Sequence, residues 1–208
     1  MKWVKHLLWI MTLFHFDCFA QNRTPSAIWY FPGASYQTSP SVALWGHFGI
    51  NSRQDIKAIY LQSFIKLNKH ITLNPAYLYL AIDNDNSVQK EHTFMHAVHI
   101  HVPLGKFRLD DRNMLWNWIR KDAADLYFYR NRLRLSWPFK LASRDGSLYT
   151  FDEASYSFND SRWSRNRLGF GFAYNVITQI NIDAFYARQH DAFTNSTHVL
   201  LIMATLTF

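Results

Sequence analysis

Apolar and polar residues alternate along most of this chain. In the segment 125–137, DLYFYRNRLRLSW, one parity carries Leu133, Leu135 and Trp137, whereas the other parity carries three arginines. The segment 162–174, RWSRNRLGFGFAY, repeats this pattern. A repeat of two residues is that of a β-strand whose two faces meet different environments. The helical period of 3.6 residues is almost absent, so the chain is predicted to be all-β.

About eleven segments have this alternation. The clearest are 41–51, 56–67, 71–82, 92–102, 125–137, 162–174, 178–189 and 198–208, and a weaker one is 27–36. Short links join them, such as the tight turns expected at Asn68-Lys69 and at 103–106, PLGK. Consecutive strands with short connections pair antiparallel, so a single meander is predicted.

The length of these segments favours a membrane barrel over a soluble one. Strands of soluble proteins average about 5–6 residues, whereas a tilted membrane-spanning strand needs about 9–11 residues. Most segments here reach the longer figure. Aromatic residues also gather near segment ends, as membrane interfaces favour: Tyr79, Tyr127, Tyr129, Trp137, Tyr174, Tyr186 and Phe208. We therefore predict a transmembrane antiparallel up-and-down β-barrel of about 10–12 strands.

The number of strands depends on the segment 27–40. Single-chain bacterial barrels have even numbers of strands, and eleven candidates do not satisfy that rule. Either 27–40 is an N-terminal segment outside a ten-stranded barrel, or it is the first of twelve strands. Pro32 and Gly33 interrupt the segment and favour ten strands.

The N-terminus is that of an exported protein. Lys2 and Lys5 precede a short apolar core at 7–14, and small residues end at Ala20 before Gln21. This order predicts a signal peptide over 1–20 that is cleaved after Ala20. Residues 21–208 then form a single β-barrel domain. The chain's one cysteine, Cys18, leaves with the signal peptide, so no disulfide is expected.

The C-terminus ends on an apolar alternation. Ile202, Ala204, Leu206 and Phe208 share one parity, and this resembles the terminal signal by which bacterial outer-membrane proteins are recognised. The location predicted is the bacterial outer membrane. The expected partners are its lipid and lipopolysaccharide, together with the outer-membrane assembly machinery. No oligomeric state follows from the sequence.

Three stretches, YRNRLRLSWP, FDEASYSFND and RNRLGFGFAYNVITQINIDAFYARQ, resemble the DUF2490 family of uncharacterised bacterial proteins. The resemblance runs from about residue 27 to the end. It matches family positions to Arg112, Arg130, Arg132, Arg134, Glu153, Asn166 and Arg167. It implies an outer-membrane β-barrel and no particular activity. The Trp-rich stretch 110–120 departs from the family pattern.

The most distinctive polar feature is a set of arginines on the non-apolar parity. A lumen charge network is predicted to contain Arg112, Arg130, Arg132, Arg134, Arg165 and Arg167 with Glu153 and Asp183. Since isolated buried charges are costly, an interlocked plug is the first interpretation. Because arginines outnumber carboxylates, a second interpretation is a basic constriction that selects anions. Asp152 falls on the apolar parity, so a bulge or a position at the rim is expected there.

The sequence yields an outer-membrane barrel with a structural or binding role and a largely plugged lumen. The alternatives are a narrow anion-conducting pore, a lipid-modifying enzyme at the barrel rim, and a secreted lipocalin-like barrel. No catalytic spacing is found, so an enzyme is not expected. His99 and His101 share a strand face without a third ligand, so neither a metal nor another cofactor is expected. The net charge of +7 suits lipopolysaccharide phosphates better than nucleic acid, which an exported chain seldom meets.

Overall fold

The computed structural model describes residues 26–52, 55–84, 87–121, 123–192 and 196–208, and the predicted signal peptide with Ala20 and Gln21 lies outside them. The described residues form eleven strands: β1 (Ser26–Ser39), β2 (Val42–Asn51), β3 (Ile56–Lys66), β4 (Ile71–Asn84), β5 (Ser87–Leu104), β6 (Phe107–Arg120), β7 (Leu126–Leu141), β8 (Arg144–Ser157), β9 (Arg162–Ile177), β10 (Ile180–Asp191) and β11 (Thr197–Thr207). No helix in these ranges has the length and hydrophobicity needed to cross a membrane.

The strands close into one barrel. Each strand pairs antiparallel with the next, and β1 pairs parallel with β11 from Ser26 opposite His198 to Ser35 opposite Thr207. The predicted all-β barrel of 10–12 strands is therefore confirmed. The preference for ten strands is wrong, because the segment 27–40 contributes a full barrel strand. The even-number rule assumes that all neighbours are antiparallel, and one parallel closing pair permits an odd number.

Pro32 and Gly33 do not exclude β1 from the sheet. Gly33 lies so close to β2 that a Cβ there would stand 2.2 Å from the carbonyl oxygen of Gly46 and 2.4 Å from the His47 ring. Glycine is required by this close approach. Pro32 lacks an N–H but keeps its register with Ala204 of β11. Gly33 therefore allows close contact between β1 and β2, and Pro32 is accommodated within the strand.

The two ends of the barrel differ. The turn end carries the turns 39–42, 66–71, 104–107, 141–144 and 177–180 together with the C-terminus, and the loop end carries the other connections and the start of β1. In the β7–β8 turn, Ala142 and Ser143 have positive φ angles of 48° and 61°. Such a pair matches the twist of a two-residue hairpin. The turn predicted at 103–106 centres on Gly105 and Lys106.

Most side chains on the outward face are apolar, and the arginines of the alternation point inward, as the pattern predicts. On β7 the outward residues Leu133, Leu135 and Trp137 are 46%, 39% and 49% exposed. The inward residues Arg130 and Ser136 are 8% and 1% exposed. A lipocalin-like barrel has the opposite arrangement, with apolar side chains inside. The distribution of side chains in this barrel is that of a membrane barrel.

Asp152 lies on the outward face in an uninterrupted ladder. It stands opposite Leu168, and the irregularity of the β8–β9 pairing falls later, between Ser155 and Tyr156. The expected bulge beside Asp152 is therefore absent. Instead, Asn166 donates a hydrogen bond of 2.8 Å to the Asp152 carboxylate. An outward charge is tolerated here because a neighbouring amide solvates it.

The closing pair can be tested with cysteines in a Cys18→Ser background. Ala34 and Leu206 are register partners on the outward face, so we expect Ala34→Cys with Leu206→Cys to form a disulfide in the folded barrel. Neighbouring strands lie about 4.8 Å apart, within reach of that bond. Gel mobility of the unfolded chain with and without reductant reports the link. The control pairs Ala34→Cys with Ala204→Cys, which is offset by roughly 7 Å along β11. Equal cross-linking of both pairs would contradict the parallel register.

Candidate functional site

Four residues of the predicted charge network lie on one row that crosses five strands. Arg112 of β6 is opposite Arg132 of β7, which is opposite Glu153 of β8. Glu153 is opposite Arg167 of β9, and Arg167 is opposite Gln189 of β10. Because opposed residues point to the same face, this row places three arginines and one carboxylate side by side in the lumen.

Glu153 is the centre of this arrangement. Its side chain is 3% exposed. One carboxylate oxygen accepts from Arg112 Nη2, and the other accepts from Arg130 Nη2 and, at 3.3 Å, from Arg167 Nη1. We call these four residues the Glu153 cluster. A buried carboxylate is stable only when charged donors replace its water, and here three guanidinium groups do so.

The cluster carries more positive than negative charge. Its three guanidinium groups share one carboxylate, and Arg132 stands next to it in the row. The Arg132 guanidinium lies 5.7 Å from the centre of the Phe151 ring, a cation–π contact. Such a contact compensates a charge only partly. The middle of the lumen is thus a site of positive potential.

Arg134, Arg165 and Asp183 lie in two further ion pairs. Arg134 Nη1 is 4.0 Å from Asp183 Oδ2, and its guanidinium lies 3.8 Å from the centre of the Tyr149 ring. Tyr149 donates to the other Asp183 oxygen. Arg165 pairs with Asp191 towards the loop end. The eight predicted residues therefore share one lumen, where seven of them are divided among three groups and Arg132 stands beside the Glu153 cluster.

The Asp191 pair is joined to the Glu153 cluster. Gln189 Nε2 donates to Asp191 at 2.5 Å, and its amide oxygen accepts from Arg167 Nε at 2.6 Å. Arg165, Asp191, Gln189, Arg167 and Glu153 form one continuous chain of hydrogen bonds. Such a connected network holds its side chains in fixed positions.

Two glycines make room for the aromatic neighbours of these arginines. A Cβ on Gly169 would lie 2.6 Å from the Phe151 ring, and one on Gly171 would lie 2.6 Å from the Tyr149 ring. Both glycines face the lumen opposite these residues. The alternation of glycine and phenylalanine in GFGF therefore serves two faces, because phenylalanine points outward and each glycine leaves room for an aromatic ring inside.

The lumen contains two cavities. The turn-end cavity has a volume of about 710 Å³ and is lined by Arg108, Asp110, Arg132, Arg134 and Asp183, among others. The loop-end cavity has a volume of about 560 Å³ and is mainly apolar. Both are bordered by Phe31, Leu78, Trp116, Arg130, Arg167 and Phe185. These shared residues lie between the two cavities, at the level of the Glu153 cluster.

The aromatic side chains of the lumen were not predicted from the sequence. The Arg130 guanidinium lies 4.4 Å from the centre of the Trp116 ring, and Trp118 lines the loop-end cavity. A signal was present, because Arg112, Trp116 and Trp118 share one parity in the atypical stretch 110–120. Lumen positions are polar by default, so these tryptophans indicate a specialised half of the lumen.

His99 and His101 stack with ring centroids 6.2 Å apart. His101 Nδ1 lies 2.6 Å from Asp110 Oδ1. In the described ranges, no three His, Cys, Asp or Glu side chains are grouped closely enough to hold a metal ion. The expectation of a site without metal stays a prediction.

The residues of the predicted assembly signal close the barrel. Leu206 and Phe208 are 39% and 69% exposed on the outward side, and Ile202 and Ala204 lie on the same parity of β11. The Phe208 N–H donates to Ser35 of β1 at 3.0 Å. The C-terminus is therefore paired, and its use as a recognition signal stays a prediction.

We expect Glu153→Gln to destabilise the barrel strongly. Removing the only carboxylate of the cluster leaves three buried guanidinium groups without a counter-charge, and breaking a buried ion pair costs about 3–5 kcal/mol. The urea midpoint of unfolding, followed by gel mobility without boiling, measures the change. The control is Asp145→Asn on the same strand, whose pair with Lys140 at 3.4 Å is exposed and contributes little. Equal midpoints for the two variants would show that the cluster does not hold the lumen together.

The chain was compared with solved structures and with curated proteins, and one solved structure agrees with this architecture. The β domain of the Bordetella autotransporter BrkA is similar in fold, with a TM-score of 0.51 and 12% identity over 80% of this chain and 82% of that one. An anion-selective porin from Comamonas acidovorans gives a TM-score of 0.39 and 7% identity over 82% of this chain and 53% of that one. No curated protein matches the chain significantly.

A family model agrees with the resemblance noted in the sequence. The model described as Protein of unknown function (DUF2490) matches residues 26–199. These residues run from the start of β1 into β11 and contain every member of the Glu153 cluster. The chain therefore belongs to the DUF2490 family.

Proposed function

We propose that this protein is an outer-membrane β-barrel whose lumen is closed by the Glu153 cluster, and that its role is structural or ligand-binding. The observation that carries the proposal is the position of the cluster between the two cavities. Arg112, Arg130 and Arg167 converge on one carboxylate and are backed by aromatic side chains. An open pore needs a continuous wet path, and side chains held together at this level narrow such a path, which supports closure.

Placement in the outer membrane is supported by the outward face. Phe48, Leu61, Phe94, Leu115 and Phe170 are between 47% and 59% exposed and belong to five different strands. Apolar surface on every side of a barrel is costly in water and favourable in lipid. We further propose contact with lipopolysaccharide at the loop end and recognition of the C-terminus by the assembly machinery.

A narrow anion-conducting pore is the second candidate. It is favoured by the surplus of arginine over carboxylate in the lumen, with Arg132 facing the turn-end cavity beside the cluster. A basic ring of this kind attracts anions. Absence of enzymatic activity remains a prediction from the sequence.

Membrane placement is tested by fractionation. We expect the protein in the detergent-extracted outer-membrane fraction, and we expect its gel mobility to change on boiling, because a closed barrel resists unfolding by detergent. A monodisperse product in buffer without detergent would contradict the proposal and favour a secreted binding barrel.

Closure of the lumen is tested by conductance across planar bilayers. We expect no open-channel steps from the wild-type protein and measurable steps from Trp116→Ala, because Trp116 borders both cavities. Leu115→Ala is the matched control, since the adjacent Leu115 is 48% exposed on the outward face. Anion-selective steps in the wild type that Arg132→Glu suppresses would overturn closure and establish the pore.

A further inference from the structure

We propose that the loop-end cavity binds a single-chain amphiphile with a carboxylate head group. The head group lies against Arg130 and Ser155 at the cavity floor, and the apolar chain lies among the aromatic side chains above. This inference rests on the proposed closure, because the Glu153 cluster forms the floor.

The lining of the loop-end cavity is unusual for a lumen. Its walls include Trp29, Leu80, Trp118, Phe128 and Val199, whereas barrel interiors are normally polar and wet. Its volume of about 560 Å³ lies within the range of sites for small organic ligands. Such walls offer water few hydrogen bonds. An apolar chain that displaces this water buries apolar surface, which is favourable.

The floor of this cavity carries positive charge. Arg130 and Arg167 line it, and both share the single Glu153 carboxylate with Arg112. The pair of Arg165 and Asp191 on the wall is already balanced. A second carboxylate at the floor therefore reduces the surplus charge of the cluster, which favours an anionic over a neutral head group.

Two donors at the floor lack partners. In the described part of the chain, Ser155 Oγ and Arg130 Nε are buried atoms without a hydrogen bond, and their residues are 4% and 8% exposed. A buried donor without a partner costs free energy. Both side chains line the cavity, and Arg130 of β7 is opposite Ser155 of β8, so the two donors lie on neighbouring strands at one level of the lumen. An acceptor for both donors would therefore lie at the floor of the loop-end cavity.

The turn-end cavity does not offer this combination. Its lining includes the pairs of Arg108 with Asp110 and of Arg134 with Asp183, and it also includes Arg132 beside the Glu153 cluster. It lacks the Ser155 hydroxyl and the Trp29 and Trp118 side chains of the loop-end cavity. It therefore serves as an internal control. Met203 lines only the turn-end cavity, and Val199 on the same face of the same strand lines only the loop-end cavity.

Binding is measured by quenching of tryptophan fluorescence with 12-bromododecanoate, because bromine quenches tryptophan at short range. The protein is placed in nanodiscs of zwitterionic lipid, so that no detergent chain competes. Trp137→Phe and Trp163→Phe remove two outward tryptophans that are 49% and 58% exposed. Trp29 and Trp118 then report on the loop-end cavity, Trp116 on both cavities and Trp45 on the turn-end cavity. We expect saturable quenching.

Three comparisons decide the result. Val199→Trp fills the loop-end cavity and is expected to abolish saturable quenching, whereas Met203→Trp leaves it intact. Ser155→Ala removes a hydroxyl without a partner and is expected to weaken binding about 3- to 10-fold, the contribution of one hydrogen bond. Quenching by 12-bromododecanol is expected to be weaker, because the alcohol lacks the charge. Gel mobility without boiling verifies that each variant is folded.

Linear quenching that does not saturate would overturn the proposal, as would equal quenching by the alcohol and the carboxylate. Unchanged binding in both Ser155→Ala and Val199→Trp would also overturn it. Failure of closure is recognised separately, because it produces channel steps in planar bilayers. If the protein conducts and still binds saturably, the binding site is supported and only closure of the lumen is rejected.

Discussion

Closure of the backbone hydrogen-bond ladder is the constraint on which this structure depends. A strand edge exposed to lipid has no water to satisfy its N–H and C=O groups, so a spanning sheet must have no edge. β1 supplies the last pairing by running parallel to β11. Once the ring is closed, the parity of each strand assigns every side chain to lipid or lumen.

The lumen has to accommodate the charged side chains that strand parity directs inward. The six arginines predicted for the lumen lie there, and Glu153, Asp183 and Asp191 pair with five of them. Arg132 is held by an aromatic ring instead. The network gains rigidity from shared acceptors, and its surplus charge is the property from which both the anion-pore alternative and the proposed carboxylate site derive.

The sequence predicted which face of a strand each side chain occupies better than it predicted which strands pair. Leu133 and Arg132 were assigned correctly to opposite faces because alternation is a local property with a period of two. The role of the segment 27–40 was misjudged because Pro32 and Gly33 are local signals against a strand, and the partner that holds them is about 170 residues away in the chain. The lumen position of Trp116 was not predicted, although its parity with Arg112 indicated it, and its packing against Arg130 is a contact between strands.

By itself, the sequence determined an all-β barrel with apolar residues outside and arginines inside, since strand periodicity is read from neighbouring residues alone. Only the tertiary structure decided the odd strand number, the convergence of three arginines on Glu153 and the division of the lumen into two cavities. These features depend on register between strands and on the curvature of the closed sheet. Both are set by contacts between residues far apart in the chain, which a local pattern does not encode.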